Sequence, residues 1–534
     1  MRYGRLGMML LLGAIASTVA GAQVPINDAI NDTINDATNV AINDATKDAV
    51  KDAVKIDPDS PKYLWFRGKP LVLISASEHY GSVINRPFDY ERYLADAARH
   101  KMTMTRTFLL YRELQSARNP SSPCKPESPD YISPFVRSGP GKALDGEPLY
   151  DLDQWNPEYF DRLHRFLDAA SKNGIVVELT VFSNTYSNDV WALNPLNAAN
   201  NKQRAGAVDW QDYISLKNPE LVRRQTAYAR KIIEETSGYD NVYYEICNEP
   251  GGGFPGHASA ADVDEWQEEM ARVLRDEMRR TNHPHLLSGQ QAFTYGKKNS
   301  FPMDATLAGK TFDIANDHPL PNTFFDGHVY EMGNFMSKEL TLDQLASFCR
   351  ATESRPKPVV LDEDNAASMY RDLTGWTIHR KRAWTALLNR CHYDYIDFSI
   401  TVGSETGTAT SQRAIRSWME HLSEFMTSFD FSHARLSPDW IALYPQHLAA
   451  SGLSVTGRDY VAYLADSREV SDPTAGEAIA GSVSLSLPPG TYDLRLYSPV
   501  TGEYSPAIEV KGGKTALNLP PFQEDVVLRA TRRE

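Results

Sequence analysis

The sequence predicts a (β/α)8 barrel followed by an antiparallel β-sandwich, and three observations carry that expectation. Between Ile56 and about Ser432, short β-rich apolar runs alternate with longer helical patterns, the texture of a parallel sheet covered by helices. The β-rich runs number eight, the strand count that closes such a barrel. Past Ser432 the helical pattern stops, and short alternating strands punctuated by turn residues run to the end of the chain, as in a small sandwich.

The elements follow in order. Residues 1–22, "MRYGRLGMMLLLGAIASTVAGA", have a basic start (Arg2, Arg5), a short apolar stretch and a small-residue cleavage site, and read as a secretory signal. The apolar stretch is short for a membrane span, and no later run reaches spanning length. Residues 23–56 repeat with period four, as in "INDAINDTINDA". A four-residue step winds the Ile/Val stripe around a helix, so this segment reads as a polar spacer and not as a packed helix. Residues 57–432 form the expected barrel and 433–534 the expected sandwich. The eight strands are "KPLVLISAS" (69–77), "MTMTRTFLL" (102–110), "GIVVELTVF" (174–182), "NVYYEICNE" (241–249), "HLLSGQ" (285–290), "FDIANDH" (312–318), "PVVLDED" (358–364) and "YDYIDFSI" (393–400). Helical stretches such as "PEYFDRLHRFLDAASKNG" and "PELVRRQTAYARKIIEETSG" lie between them and close on glycine.

Composition narrows the partners. A 534-residue chain of net charge -14 has no basic footprint, which argues against nucleic acid and anionic membrane and favours a neutral substrate such as a sugar. Four cysteines permit at most two disulfides, and their spacing suggests no zinc site. No metal or other cofactor is expected.

In a (β/α)8 barrel the chemistry sits at the C-terminal ends of the strands. The fourth strand ends in "EICNEP". Glu249 falls at the mouth, while Glu245 falls roughly 13 Å deeper and needs a buried partner, for which Arg106 on the second strand is the candidate. Strict alternation puts Glu245, Cys247 and Glu249 on one face and Asn248 on the other. On the seventh strand, "VVLDED" offers Glu363 at the mouth with Asp362 and Asp364 turned aside, or the reverse, an aspartate pair suited to a metal.

"ICNEP" closing strand four and "PVVLDED" closing strand seven, 114 positions apart between Glu249 and Glu363, resemble the clan of retaining glycosidases that contains glycoside hydrolase family five, the cellulase-like barrels. The resemblance spans about residues 62–430. It implies Glu249 as acid/base, Glu363 as nucleophile, Asn248 as the partner of a sugar 2-hydroxyl, and Arg106 as the arginine that keeps the nucleophile charged. His318 is similar to the clan's strand-six histidine, with His328 and Tyr330 of "GHVYEM" as rivals. Such an enzyme needs one ionised and one protonated carboxyl about 5 to 5.5 Å apart. Glu78 and His79 in "SASEHYG" stand at the height of the substrate or are satisfied structural groups. Tyr111, Tyr186 and Trp191 follow strand ends and are candidates to stack on sugar or simply to pack. The eighth strand lacks the tryptophan that family-five enzymes often place beneath the sugar, with Phe398 a candidate substitute. The resulting expectation is a secreted or periplasmic retaining glycoside hydrolase acting on an oligo- or polysaccharide. The alternatives are a non-catalytic glycan-binding barrel and a metal-dependent hydrolase built on Asp362 and Asp364.

Overall fold

The computed structural model describes residues 53–110, 130–296, 298–333, 338–367, 373–396, 409–442 and 444–533. The signal sequence, the repeat, Tyr111 and Phe398 lie outside these residues.

Eight parallel strands form the central sheet: β1 (Ile74–Ser77), β2 (Met104–Phe108), β3 (Val176–Ser183), β4 (Val242–Asn248), β5 (Leu287–Gly289), β6 (Ile314–Asn316), β7 (Val359–Asp364) and β8 (His392–Ile396). Each lies in or overlaps its expected run, consecutive strands pair in order from β2 to β8, and β8 returns to β1. Between β1 and β2 the ring is drawn together by Thr103 N–H donating to the Ile74 carbonyl at 3.0 Å and Ser75 Oγ to the Met104 carbonyl at 2.7 Å. The first run differs from the expected single strand. Lys69–Leu71 belongs instead to a small antiparallel sheet with Lys55–Ile56 and Leu64–Phe66, and only Ile74–Ser77 enters the barrel. Leu64, Phe66 and Leu71 of that sheet cluster with Met104, Val176, Tyr243, Ile314 and Val360 near the strand starts, closing the N-terminal end of the barrel with apolar surface.

A helix follows every strand: α1 (Tyr90–Arg99), α2 (Pro157–Lys172), α3 (Pro219–Thr236), α4 (Ala260–Thr281), the short α5 (Asp304–Ala308), α6 (Leu342–Ala351), α7 (Leu373–Leu387) and α8 (Ala409–Thr427). Their starts are chemically specified. Asn156 and Asn218 cap α2 and α3 ahead of a proline at the first turn, and Ser259 with Asp262 forms a reciprocal capping box on α4. Between β2 and α2, Phe135–Lys142 pairs antiparallel with Pro148–Trp155.

The C-terminal strands β9 (Arg435–Leu436), β10 (Ile441–Ala442), β11 (Leu448–Val455), β12 (Asp459–Asp466), β13 (Ile479–Tyr497), β14 (Ile508–Phe522) and β15 (Asp525–Arg532) make one antiparallel sheet ordered β9-β11-β12-β15-β13-β10, with β14 on β13. The 19-residue β13 breaks register between Leu487 and Thr491, pairing β10 before the break and β15 after it, so one sheet curls into the two layers of a sandwich. Tyr460, Ala462, Leu464, Val526, Leu528 and Ala530 fill its interior. The opposite faces of β12 and β15, with Val461, Tyr463 and Val527, belong to the barrel's own core cluster. α7 lies between the two bodies, buried on every side. Its three consecutive cations are each matched: Arg380 forks onto Asp525 at 2.9 Å, Lys381 pairs with Glu524, and Arg382 pairs with Asp364. Among the described residues no helix is long and apolar enough to cross a membrane.

Candidate active site

The site grows from Arg106 at the centre of β2, fully buried inside the barrel. A guanidinium has donors only, so every neighbour within reach must accept. Its Nη2 reaches Glu245 Oε1 and Oε2 at 2.8 and 2.7 Å, Nε reaches Glu245 Oε2 at 3.0 Å, and Nη1 reaches Glu363 Oε2 at 2.5 Å. Nη2 also donates to Asn248 at 2.7 Å, which fixes that amide with its oxygen inward. The Asn248 nitrogen then donates to Ser183 Oγ at 3.1 Å and Tyr186 Oη at 2.9 Å. Glu245 is completed by Thr180 Oγ1 at 2.6 Å and Asn316 Nδ2 at 3.0 Å, so it is a fully bonded interior charge.

Two of these placements correct the alternation argument. Glu245 and Asn248 are three residues apart, yet both bond to Arg106, whereas Ile246 and Cys247 both lie in the core cluster. Asn248 therefore shares the interior with Glu245. On β7 the ladder to β8 shifts register between Leu361 and Asp364, a bulge that re-aims side chains. Asp362 and Glu363 consequently both approach Arg106, while Asp364 turns to Arg382 and to Tyr393 Oη at 2.8 Å. The Asp362–Asp364 pair imagined as a metal site does not form, because Asp364 is already neutralised by Arg382.

Glu363 lies among cations. Burial alone would push its carboxyl up, but His318, His79 and Arg106 outweigh that and hold it well below the usual carboxylate range. His79 sits with Nδ1 3.7 Å from Glu363 and with Nε2 on Asp394 at 3.1 Å and Ser77 Oγ at 2.9 Å. Burial disfavours its charged form, but the bonds to Asp394 and Glu363 prevail, and its pKa is raised. Glu249, at the end of β4 with φ +44°, points to the mouth with 19 % of its side chain exposed. It accepts from Tyr186 Oη at 2.5 Å and from His318 Nδ1 at 3.0 Å. His318 is pushed up to about 10: burial opposes its charge, but Glu363, Glu249 and Asp362 more than compensate. One carboxylate oxygen of Glu249, one of Glu363 and a nitrogen of His318 all lie within 4.8 Å of one another. In the loop after Glu249, position 252 has room for nothing larger than glycine, since a Cβ on Gly252 would fall 2.5 Å from the Ser259 backbone.

The structure thus brings Glu249, Glu363, Asn248, Arg106, His318 and His79 together. Glu78 is buried and turned back on its own loop, accepting from Tyr80 N–H at 3.2 Å and Gly81 N–H at 2.8 Å. Tyr330 packs on Phe348 of α6, and the rival His328 is exposed beside it, so neither takes the place of His318. Trp191 is packed against Tyr213 with its indole N–H on the Val208 carbonyl. Tyr186 is here by its hydroxyl, and Asp394, Ser77, Ser183 and Asp362 belong to the network without having been singled out for it.

A barrel with glutamates from β4 and β7 opposed at its C-terminal mouth, and with an arginine from β2 beneath them, is the cellulase-like glycoside hydrolase fold. Solved structures agree at the level of fold. A glycoside hydrolase family 5 protein from Bacteroides vulgatus superposes with TM-score 0.58 at 13% identity, covering 90% of this chain and 93% of that one. A second protein described as a glycoside hydrolase gives 0.57 at 14% identity, covering 90% and 97%. The endo-1,4-beta-mannanase from Rhizomucor miehei gives 0.50 at 13% identity, covering 71% of this chain and all of that one. In sequence, residues 124–255 match a domain of unknown function, DUF6298, a span that takes in Asn248 and Glu249 and stops short of Glu363. No curated protein sequence matches the chain.

Proposed function

We propose that the protein is a secreted glycoside hydrolase that cleaves O-glycosidic bonds of an oligo- or polysaccharide with retention of configuration. The observation that carries the reading is the approach of Glu249 and Glu363 to within 4.8 Å, oxygen to oxygen, at the barrel mouth. That gap is in keeping with the ~5 to 5.5 Å of double displacement and is shorter than the roughly 6.5 to 9.5 Å between the carboxyls of an inverting enzyme.

Glu363 attacks the anomeric carbon while Glu249 gives its proton to the departing oxygen. Water then attacks the glycosyl-Glu363 ester, and Glu249 takes the proton back. The cations around Glu363 serve both halves. They keep it ionised for attack, and because esterification removes its negative charge they favour its release as carboxylate afterwards. Asn248, held oxygen-inward by Arg106, turns its N–H groups toward Ser183 and Tyr186, where a sugar hydroxyl can compete for them. The leader "MRYGRLGMMLLLGAIASTVAGAQ" supports export.

Incubation with a slow 2-fluoro glycoside followed by peptide mass spectrometry is the test. The expected adduct is on Glu363, and a stable adduct on any other residue overturns the assignment. Glu249→Ala should lose activity and regain it with azide on an activated aryl glycoside.

A further inference from the structure

Asp362 has no part in the double displacement, yet its position is unusual. Both of its oxygens are fully buried and, among the described residues, hydrogen-bond to nothing. Around it stand Arg106 from β2, Glu178 from β3, Glu245 from β4, His318 from β6 and its neighbour Glu363 on β7. Arg106 Nε is 3.6 Å away but already bonds Glu245 at 3.0 Å. His318 Nε2 is also 3.6 Å from Asp362 Oδ1, and it too is buried with no hydrogen-bond partner among the described residues. Two orphaned groups, one donor and one acceptor, therefore face each other across a gap a few tenths of an ångström beyond a hydrogen bond. The other nitrogen of the same ring bonds Glu249.

We propose that Asp362 is a positioning residue for the acid/base: it accepts the Nε2–H of His318 and thereby holds the imidazolium with its Nδ1–H on Glu249. This rests on the reading of Glu249 as acid/base. The bulge in β7 is what makes it available, since regular alternation would turn Asp362 out of the barrel. The line Asp362–His318–Glu249 runs from the buried floor to the mouth and fixes the orientation of the ring from behind, as the partner of a working histidine does. Burial and the neighbouring Glu245 and Glu363 push Asp362 up to about 7 against the pull of Arg106 and His318. Its negative charge is thus present above that pH and is lost below it, and it is the charged form that holds His318 protonated.

The test reads the ring itself. Protein labelled with 15N in the histidine imidazoles is titrated, the His318 signals being assigned by their loss in His318→Gln. The wild type should keep both nitrogens protonated through neutral pH. In Asp362→Asn, His318 should release its proton at a pH lower by at least about one unit, because a unit charge 3.6 Å away has been removed. Asp362→Glu, which keeps the charge, should move it less than half as far, and Asp362→Ala, which also removes the charge, serves in place of the Asn variant if that one does not fold. Identical titration in wild type and Asp362→Asn overturns the proposal, as does a Glu variant that behaves like Asn. The alkaline limb of kcat/KM should move the same way. If the ring shifts and the limb does not, Asp362 holds His318 as proposed, and it is the acid/base role of Glu249 that fails.

Discussion

Arg106→Met removes the charge on which the interior of the barrel is organised while keeping a side chain of similar length in place, so packing changes little. What is lost is a cation that donates to Glu245 at 2.7 to 3.0 Å and to Glu363 at 2.5 Å, with Asp362 at 3.6 Å. Removing one partner of a buried ion pair typically costs about 3–5 kcal/mol, because the remaining charge stays out of water uncompensated. Here more than one carboxylate is left behind, so a loss of about 4 kcal/mol or more is expected at pH 8. A carboxylate stranded in this way takes up a proton when it can, and each proton gained returns up to about 1.4 kcal/mol per pH unit. The deficit relative to wild type should therefore shrink as pH falls, being largest at pH 8 and smallest near pH 5. Urea unfolding followed by tryptophan fluorescence and by circular dichroism at both pH values measures it. Arg106→Lys, which keeps the charge but not the fork, should lose less. A deficit below about 1 kcal/mol at pH 8, or one equal at both pH values, would refute the idea that this arginine neutralises the barrel floor.

Tyr186→Phe removes a donor to Glu249 and an acceptor for Asn248, and a charge-assisted bond of about 1.5–3 kcal/mol corresponds to a fall of about 10- to 100-fold in kcat/KM with the fold intact, checked by steady-state kinetics. His379 and His392 are buried and held neutral, each pushed down to about 4 by burial. The unfolded chain binds their protons first, so stability should fall as pH drops from about 6.5 toward 4, and His392→Asn should flatten that slope in unfolding experiments across the range. Asp525→Asn strands Arg380 between barrel and sandwich and should cost about 3 kcal/mol in urea unfolding, with both bodies lost in one transition because they share a core. Gly252→Ala places a Cβ against the Ser259 backbone and should reduce activity, the helical signal in circular dichroism remaining.

What the chain disclosed in advance and what it hid have separate physical causes. The strands were legible because a barrel strand buried on both faces must be an apolar β-rich run. The helices were legible in their patterns and closing glycines, and the structure adds Asn-Pro-Glu at 156–158 and 218–220, which supplies cap, first-turn proline and first-turn acid together. α7 hides more: in "TIHRKRAWTALL" Arg380, Lys381 and Arg382 are all buried, each facing an acid contributed from elsewhere in the chain. No local pattern reveals a partner 145 residues away, as Asp525 is from Arg380.

The same limit governs the site. Glu249 and Glu363 were found because position along a strand decides height in the barrel, and height is a local property. Facing was not, since period two assumes a regular strand: the β7 ladder shifts register between Leu361 and Asp364, and at the end of β4 Asn248 and Glu245 both reach Arg106. Asn248 was assigned to the outer side on that rule and is inside, and the rule allowed either Asp362 or Glu363 inside where both are. The departures allow adjacent residues to serve one cavity: Asp362 and Glu363 both reach Arg106, and Asn248 joins Glu245 on the same guanidinium. A regular strand could offer Arg106 only every second side chain. By breaking period two on β4 and β7, the chain gives each strand a deep carboxylate and a shallow functional group, and one arginine connects all four.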